Sequence, residues 1–150
     1  MEHVGVGLRA VATIIDTLLL VVVGYLIAVA TGGTTAAGFK LEGAPMLLWV
    51  VIGVGYYIVL EAQSGATLGK RLVGLKVVKL EGGAPVDWQA SITRNLLRLV
   101  DGFFFYLVGA IIVWTSDKKQ RLGDKVAGTV VVRARQAETA PKDGSPITRL

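Results

Sequence analysis

Uncharged apolar residues along this chain fall into three blocks that are separated by polar segments. The first block runs from Ala10 to Ala30 and contains one charged residue, Asp16. A helix over its 21 residues is about 31 Å long, enough to cross the hydrocarbon core of a bilayer. The second block, Gly43 to Leu60, has 18 residues and no charge. These blocks predict transmembrane helices over about 8–30 and 44–61.

The third block, Gly102 to Ser116, has 15 uncharged residues and is short for a complete span. It extends to about 94–116 only if Arg98 and Asp101 are included. Two arrangements are open. One is a straight span; the other is a re-entrant hairpin whose helix starts near Trp88, turns at Asp101 and returns. The predicted fold class is an all-α integral membrane protein with two transmembrane helices and a third membrane-inserted segment, re-entrant or kinked.

Two short β-branched segments lie outside the apolar blocks. Leu75–Lys79 is followed by a Gly-Gly-Ala-Pro turn signal, and Gly128–Arg133 contains three consecutive valines. They predict a small cytoplasmic β pairing, which a crosslink between Val78 and Val131 would test. Residues 1–135 form the predicted membrane domain. Residues 136–150 are polar, contain Pro and Gly, and are expected to form a disordered cytoplasmic tail.

Basic residues are concentrated after the second block. The first connection, Thr31 to Gly43, carries only Lys40, whereas the second, Ala62 to Val100, carries six Lys and Arg residues. The positive-inside rule places the N-terminus and the second connection in the cytoplasm. A hairpin would also keep the eight basic residues after Ser116 on that side. We therefore expect a multi-pass protein of the cell membrane with both termini cytoplasmic.

Composition narrows the classes of function. Hydrophobic residues make up 53%, and with the 19 glycines about 66% of the chain is apolar, against 45–50% in a soluble domain. The chain has no cysteine, and its single histidine is His3. We expect no metal site, no cofactor and no enzymatic activity, because no nucleophile–base pair can be found. With membrane spans present, the net charge of +5 indicates anionic lipid head groups rather than nucleic acid.

Charged side chains within the apolar blocks are costly and therefore informative. Arg9 and Asp16 lie on one face of the first helix, and Arg94, Arg98 and Asp101 form a similar stripe. If the stripes face each other, Asp16 pairs with Arg94 or Arg98, and Asp101 pairs with Arg9. The candidate intramembrane charge cluster, with Glu61 from the second span, is Arg9, Asp16, Glu61, Arg94, Arg98 and Asp101. It is either a structural ion-pair network, an ion or proton pathway, or a contact with lipid head groups.

Two polar motifs complete the pattern. The first contains Gly69, Lys70 and Arg71. It does not match a phosphate-binding loop, because three residues instead of four separate Gly65 from Gly69, and because Arg71 stands where such a loop has Ser or Thr. The second motif contains Arg121, Gly123 and Asp124. Both motifs are expected to be cytoplasmic.

With the arginine and aspartate stripes, these motifs resemble the RDD family of membrane proteins, from about Val6 to Arg133. The family is named for one arginine and two aspartates. Arg9 and Asp16 match the first two of these, and the second aspartate is either Asp101 or Asp124. The resemblance implies a small, mostly prokaryotic, multi-pass membrane protein, and some members look like cation/proton antiporters.

The expected function is therefore small-ion transport, including cation/proton exchange. A homo-oligomer is expected, because two or three membrane segments are few for a lone transporter. The alternative is a non-catalytic accessory or assembly subunit of a larger membrane complex. In either case the expected partners are the lipid bilayer and the anionic head groups at the basic face.

Overall fold

Two long apolar helices dominate the computed structural model, which describes residues 4–103 and 122–138. Helix α1 is Val6–Thr31 and helix α2 is Ala44–Ser64. Each ends at a glycine in the left-handed conformation, Gly32 or Gly65, which closes the last helical turn. Both helices are long and apolar enough to cross a membrane. The helices predicted over 8–30 and 44–61 are confirmed and extend a few residues further.

The apolar side chains on the outer faces of α1 and α2 are exposed. Leu18 is 61% exposed and Leu47 is 65% exposed, so these helices do not fill the core of a soluble domain. The two helices approach each other where the indole N–H of Trp49 donates to the Leu20 carbonyl at 2.8 Å. A side chain at Gly24 would contact that indole nitrogen at 2.9 Å, so the small residue allows the approach.

A two-stranded hairpin joins the far ends of these helices. Its strands, β1 (Thr34–Thr35) and β2 (Gly38–Phe39), pair antiparallel. The ring of Phe39 packs edge-on against Tyr25 of α1, with centroids 6.2 Å apart.

The opposite end carries a compact layer. Helix α3, Leu68–Leu72, leads into strand β3, Leu75–Lys79. Strand β3 pairs antiparallel with strand β4, Thr129–Arg133, and their five valines belong to the small buried core. The predicted β pairing is confirmed. Its register places Val131 opposite Val77 and not opposite Val78.

Helix α4, Trp88–Phe103, begins at the residue predicted for it. Asp87 caps its first turn, because its Oδ1 accepts the Ala90 N–H at 2.8 Å. The helix continues through Asp101 and Gly102, so the turn expected at these residues is wrong. The third block beyond Phe103 lies outside the described residues.

Two short helices follow in the C-terminal part of the chain. They are α5, Leu122–Val126, and α6, Ala134–Glu138. The tail expected from residue 136 is therefore helical up to Glu138, and residues 139–150 lie outside the described part. The Leu80 N–H bonds the Gly128 carbonyl at 2.8 Å, so the chain between these residues begins and ends at one place.

Candidate functional site

Buried charged side chains meet where the N-terminal half of α1 and the C-terminal end of α2 contact α3, α4 and α5. Each is at most 8% exposed. Charges at such positions require specific partners, because burial removes their hydration. We use the name charge cluster for Arg9, Asp16, Glu61, Lys70, Arg94 and Asp124.

Asp16 is held by neutral donors. Its Oδ1 accepts the Tyr56 hydroxyl at 2.7 Å and the Gly69 N–H at 2.8 Å, and its Oδ2 accepts the Thr67 hydroxyl at 2.6 Å. The expected pairing of Asp16 with Arg94 or Arg98 is wrong. The physical reason is that the first turn of α3 packs on α1 and directs its free donors at this carboxylate.

Gly69 makes this contact possible. A Cβ at this position would lie 2.8 Å from the Asp16 Oδ1 and would overlap the Ala12 carbonyl oxygen of α1. The sequence motif containing Gly69 therefore acts through close packing of two helices. It gives Asp16 the role of a tertiary cap for the start of α3.

Glu61, in the last turn of α2, is fully buried and accepts three donors. Its Oε1 accepts the Lys70 ammonium, and its Oε2 accepts the Arg94 Nε and the Asn95 Nδ2, each at 3.0 Å. Burial outweighs the attraction of Glu61 and lowers the pKa of Lys70 to about 8. The structure thus brings Glu61 together with Arg94, and it adds Lys70 from the first polar motif.

Arg9 and Arg94 share Asp124. The Arg9 Nη1 lies 2.8 Å from Asp124 Oδ2, and the Arg94 Nη1 lies 2.9 Å from Asp124 Oδ1. The expected pairing of Arg9 with Asp101 stays a prediction. The β3–β4 pairing carries α5 under α4, where a side chain at Gly123 would meet the Arg94 carbonyl oxygen at 2.8 Å. Asp101 lies on the α4 backbone, and its side chain is outside the described residues.

The remaining predicted site residues lie apart from the buried pairs. Arg98 is half-buried, with its Nη2 at 3.4 Å from the Thr13 hydroxyl and its Cζ 4.0 Å above the Tyr57 ring. Arg71 is exposed on α3. Arg121 lies outside the described residues.

Sequence reasoning missed the neutral members of the site. Tyr56 and Thr67 bind Asp16, and Thr129 accepts the Arg94 Nη1 at 2.8 Å. For Thr67 a signal was available, since a threonine directly before a short helical segment is a typical N-cap. Tyr56 offered only an aromatic ring within an apolar span. In the described ranges, no group of three or more His, Asp or Glu side chains is arranged to hold a metal ion.

Comparison with known proteins identifies the family. The sequence pattern of the RDD family matches residues 3–128, which is most of the chain. The chain belongs to the RDD family. Together with the two apolar helices, this membership indicates a membrane protein. Within this RDD protein, Arg9 pairs with Asp124, the second of the two candidates for the family's second aspartate.

Several bacterial proteins are similar to this RDD chain. The uncharacterized protein YxaI of Bacillus subtilis is 40% identical over 88 residues, which are 58% of this chain and 56% of YxaI. An uncharacterized protein of Haemophilus influenzae is 26% identical over 64% of this chain and 63% of its own length. The uncharacterized membrane protein YteJ of Bacillus subtilis is 30% identical over 55% of this chain and 49% of its own.

The chain thus spans less than two thirds of the length of these relatives. No solved structure matches it at a significant level.

Proposed function

We propose that this protein is a non-catalytic membrane module that serves as an accessory or assembly subunit of a larger membrane complex. One observation carries the proposal: the Asp16 and Glu61 carboxylates each accept three hydrogen bonds from fixed protein donors. An ion that crosses a membrane needs ligands that can exchange partners. Carboxylates that accept three fixed hydrogen bonds hold the helices together and are not available as exchanging ion ligands.

The position of the charges supports the same reading. Between Asp16 and the end of α1 at Thr31 the helix rises about 22 Å without a charged residue. Helix α2 likewise has no charge before Glu61. The charged groups of α1 and α2 therefore lie at one side of the bilayer and form no series across it. The polar end is held by fixed hydrogen bonds, and the two apolar helices expose their outer faces. This combination suits a module that packs against other membrane proteins or against copies of itself.

The polar layer would face the cytoplasm in the plasma membrane. Its exposed basic residues include Arg71, Lys125 and Arg133, which suit anionic head groups. The hydrogen bond between the Leu80 N–H and the Gly128 carbonyl supports the same side of the membrane for β3 and β4, because it holds both residues at this layer. Labelling of single cysteines at positions 71 and 133 in intact cells would test this orientation: both should be protected from an impermeant reagent.

Reconstitution tests the accessory role. We expect proteoliposomes containing the purified protein to show no pH-linked sodium or potassium flux. We also expect native mass spectrometry of gently solubilised membranes to show stoichiometric association with one larger assembly. Saturable flux by the protein alone, together with a stable homo-oligomer, would contradict this proposal.

A second candidate, proton-coupled ion transport by a homo-oligomer, is favoured by one group. Lys70 is buried, and its pKa of about 8 places its proton exchange close to physiological pH. Under this candidate, Lys70→Met abolishes a cation flux that depends on pH. The matched control is Lys79→Met on β3, a lysine that is 39% exposed and should leave the flux unchanged.

A further inference from the structure

A small cavity opens beside the charge cluster, between α1 and α4. Its volume is about 30 Å³, and four cationic side chains and one carboxylate contribute to its wall. These are Arg9, Lys70, Arg94, Arg98 and Asp124. The cations exceed the described carboxylates even when Glu61 and Asp16 are counted with Asp124. The three buried cations are matched by these three carboxylates, and the half-buried Arg98 has no carboxylate partner within the described part of the chain, so it can take a counter-anion.

Arg9 provides the recognition element. Its side chain is 4% exposed, and its Nη1 is used by Asp124. Its Nε and Nη2 are buried and have no hydrogen-bond partner within the described part of the chain. These two N–H groups point the same way and form the side-on fork that binds two oxygens of an oxyanion at once. Two unsatisfied buried donors of this kind are costly unless a ligand accepts them.

The depth of Arg9 indicates which oxyanion is available there. Helix α1 has 26 residues and is about 39 Å long, so it exceeds the hydrocarbon core of about 30 Å by about one turn at each end. Arg9 is three residues from the start of α1, at the level where the core meets the head groups. Phosphate groups of lipids are concentrated at this level.

We propose that this cavity binds a phosphate group, held by the Nε–Nη2 fork of Arg9 and by the charge of Arg98. The phosphate belongs either to a phospholipid head group or to free inorganic phosphate. Arg98 lies at the half-buried side of the cavity, where its guanidinium also packs on Tyr57. The Asp124 carboxylate does not oppose the anion strongly, because Arg9 and Arg94 already neutralise it. The site is independent of the choice between an accessory and a transport role.

Calorimetric titration of the purified full-length protein in a phosphate-free, uncharged detergent tests the proposal. One arm uses inorganic phosphate and the other a short-chain phosphatidic acid. We expect saturable binding in at least one arm. Binding in both identifies the phosphate group as sufficient, and binding only of the phosphatidic acid identifies a lipid head group as the source.

Three variants make the test specific. Arg9→Lys keeps the charge that pairs with Asp124 but loses the fork, and should weaken binding about tenfold or more. Arg98→Gln leaves the buried ion pairs intact and should weaken binding about two- to fivefold. Arg71→Lys is the matched control on an exposed arginine and should bind as the unmodified protein does. Unfolding temperatures of all variants are measured in parallel, and Arg98→Gln keeps the test decisive if Arg9→Lys fails to fold.

Three results would overturn the proposal. The first is no binding of either probe, which would leave water as the content of the cavity. The second is equal binding by the Arg9→Lys, Arg98→Gln and Arg71→Lys variants. The third is binding that appears only in an Asp101→Asn variant, which would mean that the Asp101 carboxylate occupies the site in the unmodified protein.

Discussion

The N–H of Gly69 donates a hydrogen bond of 2.8 Å to the Asp16 carboxylate, across 53 positions of sequence. This contact holds the start of α3 against the N-terminal half of α1. Because α3 leads directly into β3, it also fixes the β3–β4 sheet relative to the apolar helices. The packing of the polar layer on the membrane helices therefore depends on a carboxylate and on a glycine that has no side chain to block it.

Replacing Gly69 by alanine should break this junction. The added Cβ would overlap the Ala12 carbonyl and press on the Asp16 Oδ1. Overpacking of this kind costs about 1–3 kcal/mol or more. We expect a lower unfolding temperature in detergent, followed by tryptophan fluorescence.

The control for that variant is Gly7→Ala. Gly7 lies in the first turn of α1, and a Cβ there has no neighbour within 4 Å. Alanine should be neutral or slightly stabilising at this helical position. Equal losses of stability in the two variants would contradict the close approach of α3 to α1.

Asp16→Ala should destabilise the protein more than Asp16→Asn. The asparagine keeps a side-chain oxygen for the Gly69 N–H, whereas alanine leaves Tyr56, Thr67 and Gly69 without their acceptor. We expect a loss of about 1.5–3 kcal/mol for asparagine, the range of a hydrogen bond to a charged group, and a larger loss for alanine. Denaturant titration in mixed micelles measures both. An Asp16→Asn protein with undiminished stability would remove the structural role of the charge.

The sequence predicted the parts of this fold that depend on local pattern. Block length and periodicity indicated α1, α2 and the start of α4, and two short segments rich in valine indicated the β3–β4 pair. The partners of Asp16 escaped prediction because they are a hydroxyl, a phenol and a backbone N–H, which carry no charge in the sequence. The Arg9–Asp124 pair escaped because the two residues are brought together only by the long-range pairing of β3 with β4.

Arg9 and Asp124 should show strong energetic coupling. Asp124→Asn leaves two buried guanidinium groups without a full counter-charge and should cost about 3–5 kcal/mol. Arg9→Met should also destabilise, because Asp124 then loses its ion pair with the Arg9 guanidinium. In the double variant the combined loss should fall short of the sum by about 1 kcal/mol or more. Additive losses would mean that the pair contributes nothing beyond its two separate residues.

Lys70 should give stability a distinct dependence on alkaline pH. The unfolded chain keeps this lysine protonated up to its usual pKa near 10.4, whereas the folded protein releases the proton at about 8. Between these values the unfolded state binds more protons, so the contribution of Lys70 to folding stability rises with pH. Below pH 8 both states are protonated and the contribution is constant.

The measurement is the difference in unfolding temperature between the unmodified protein and Lys70→Met from pH 7 to pH 10. Other lysines and the tyrosines titrate in both proteins and cancel in this difference. We expect the unmodified protein to gain stability relative to the variant above pH 8. A flat difference across the range would show that Lys70 keeps its proton in the folded state.

The register of the β3–β4 sheet can be tested with engineered disulfides, since the chain has no cysteine of its own. Val77 and Val131 are direct partners, as are Val78 and Val130. Directly opposed residues in an antiparallel pair have Cα atoms about 4.5–5.5 Å apart, within the range that a disulfide bridges. Val78 and Val131 are offset by one residue, and their side chains point to opposite faces of the sheet.

Mild oxidation should crosslink the 77/131 and 78/130 cysteine pairs and should leave the 78/131 pair reduced. A crosslink is detected as a shift in gel mobility after cleavage of the chain between the two strands. Preferential crosslinking of the 78/131 pair would contradict this register. It would indicate a register shifted by one residue, in which the side chains of β4 point to the opposite face and Thr129 no longer contacts Arg94.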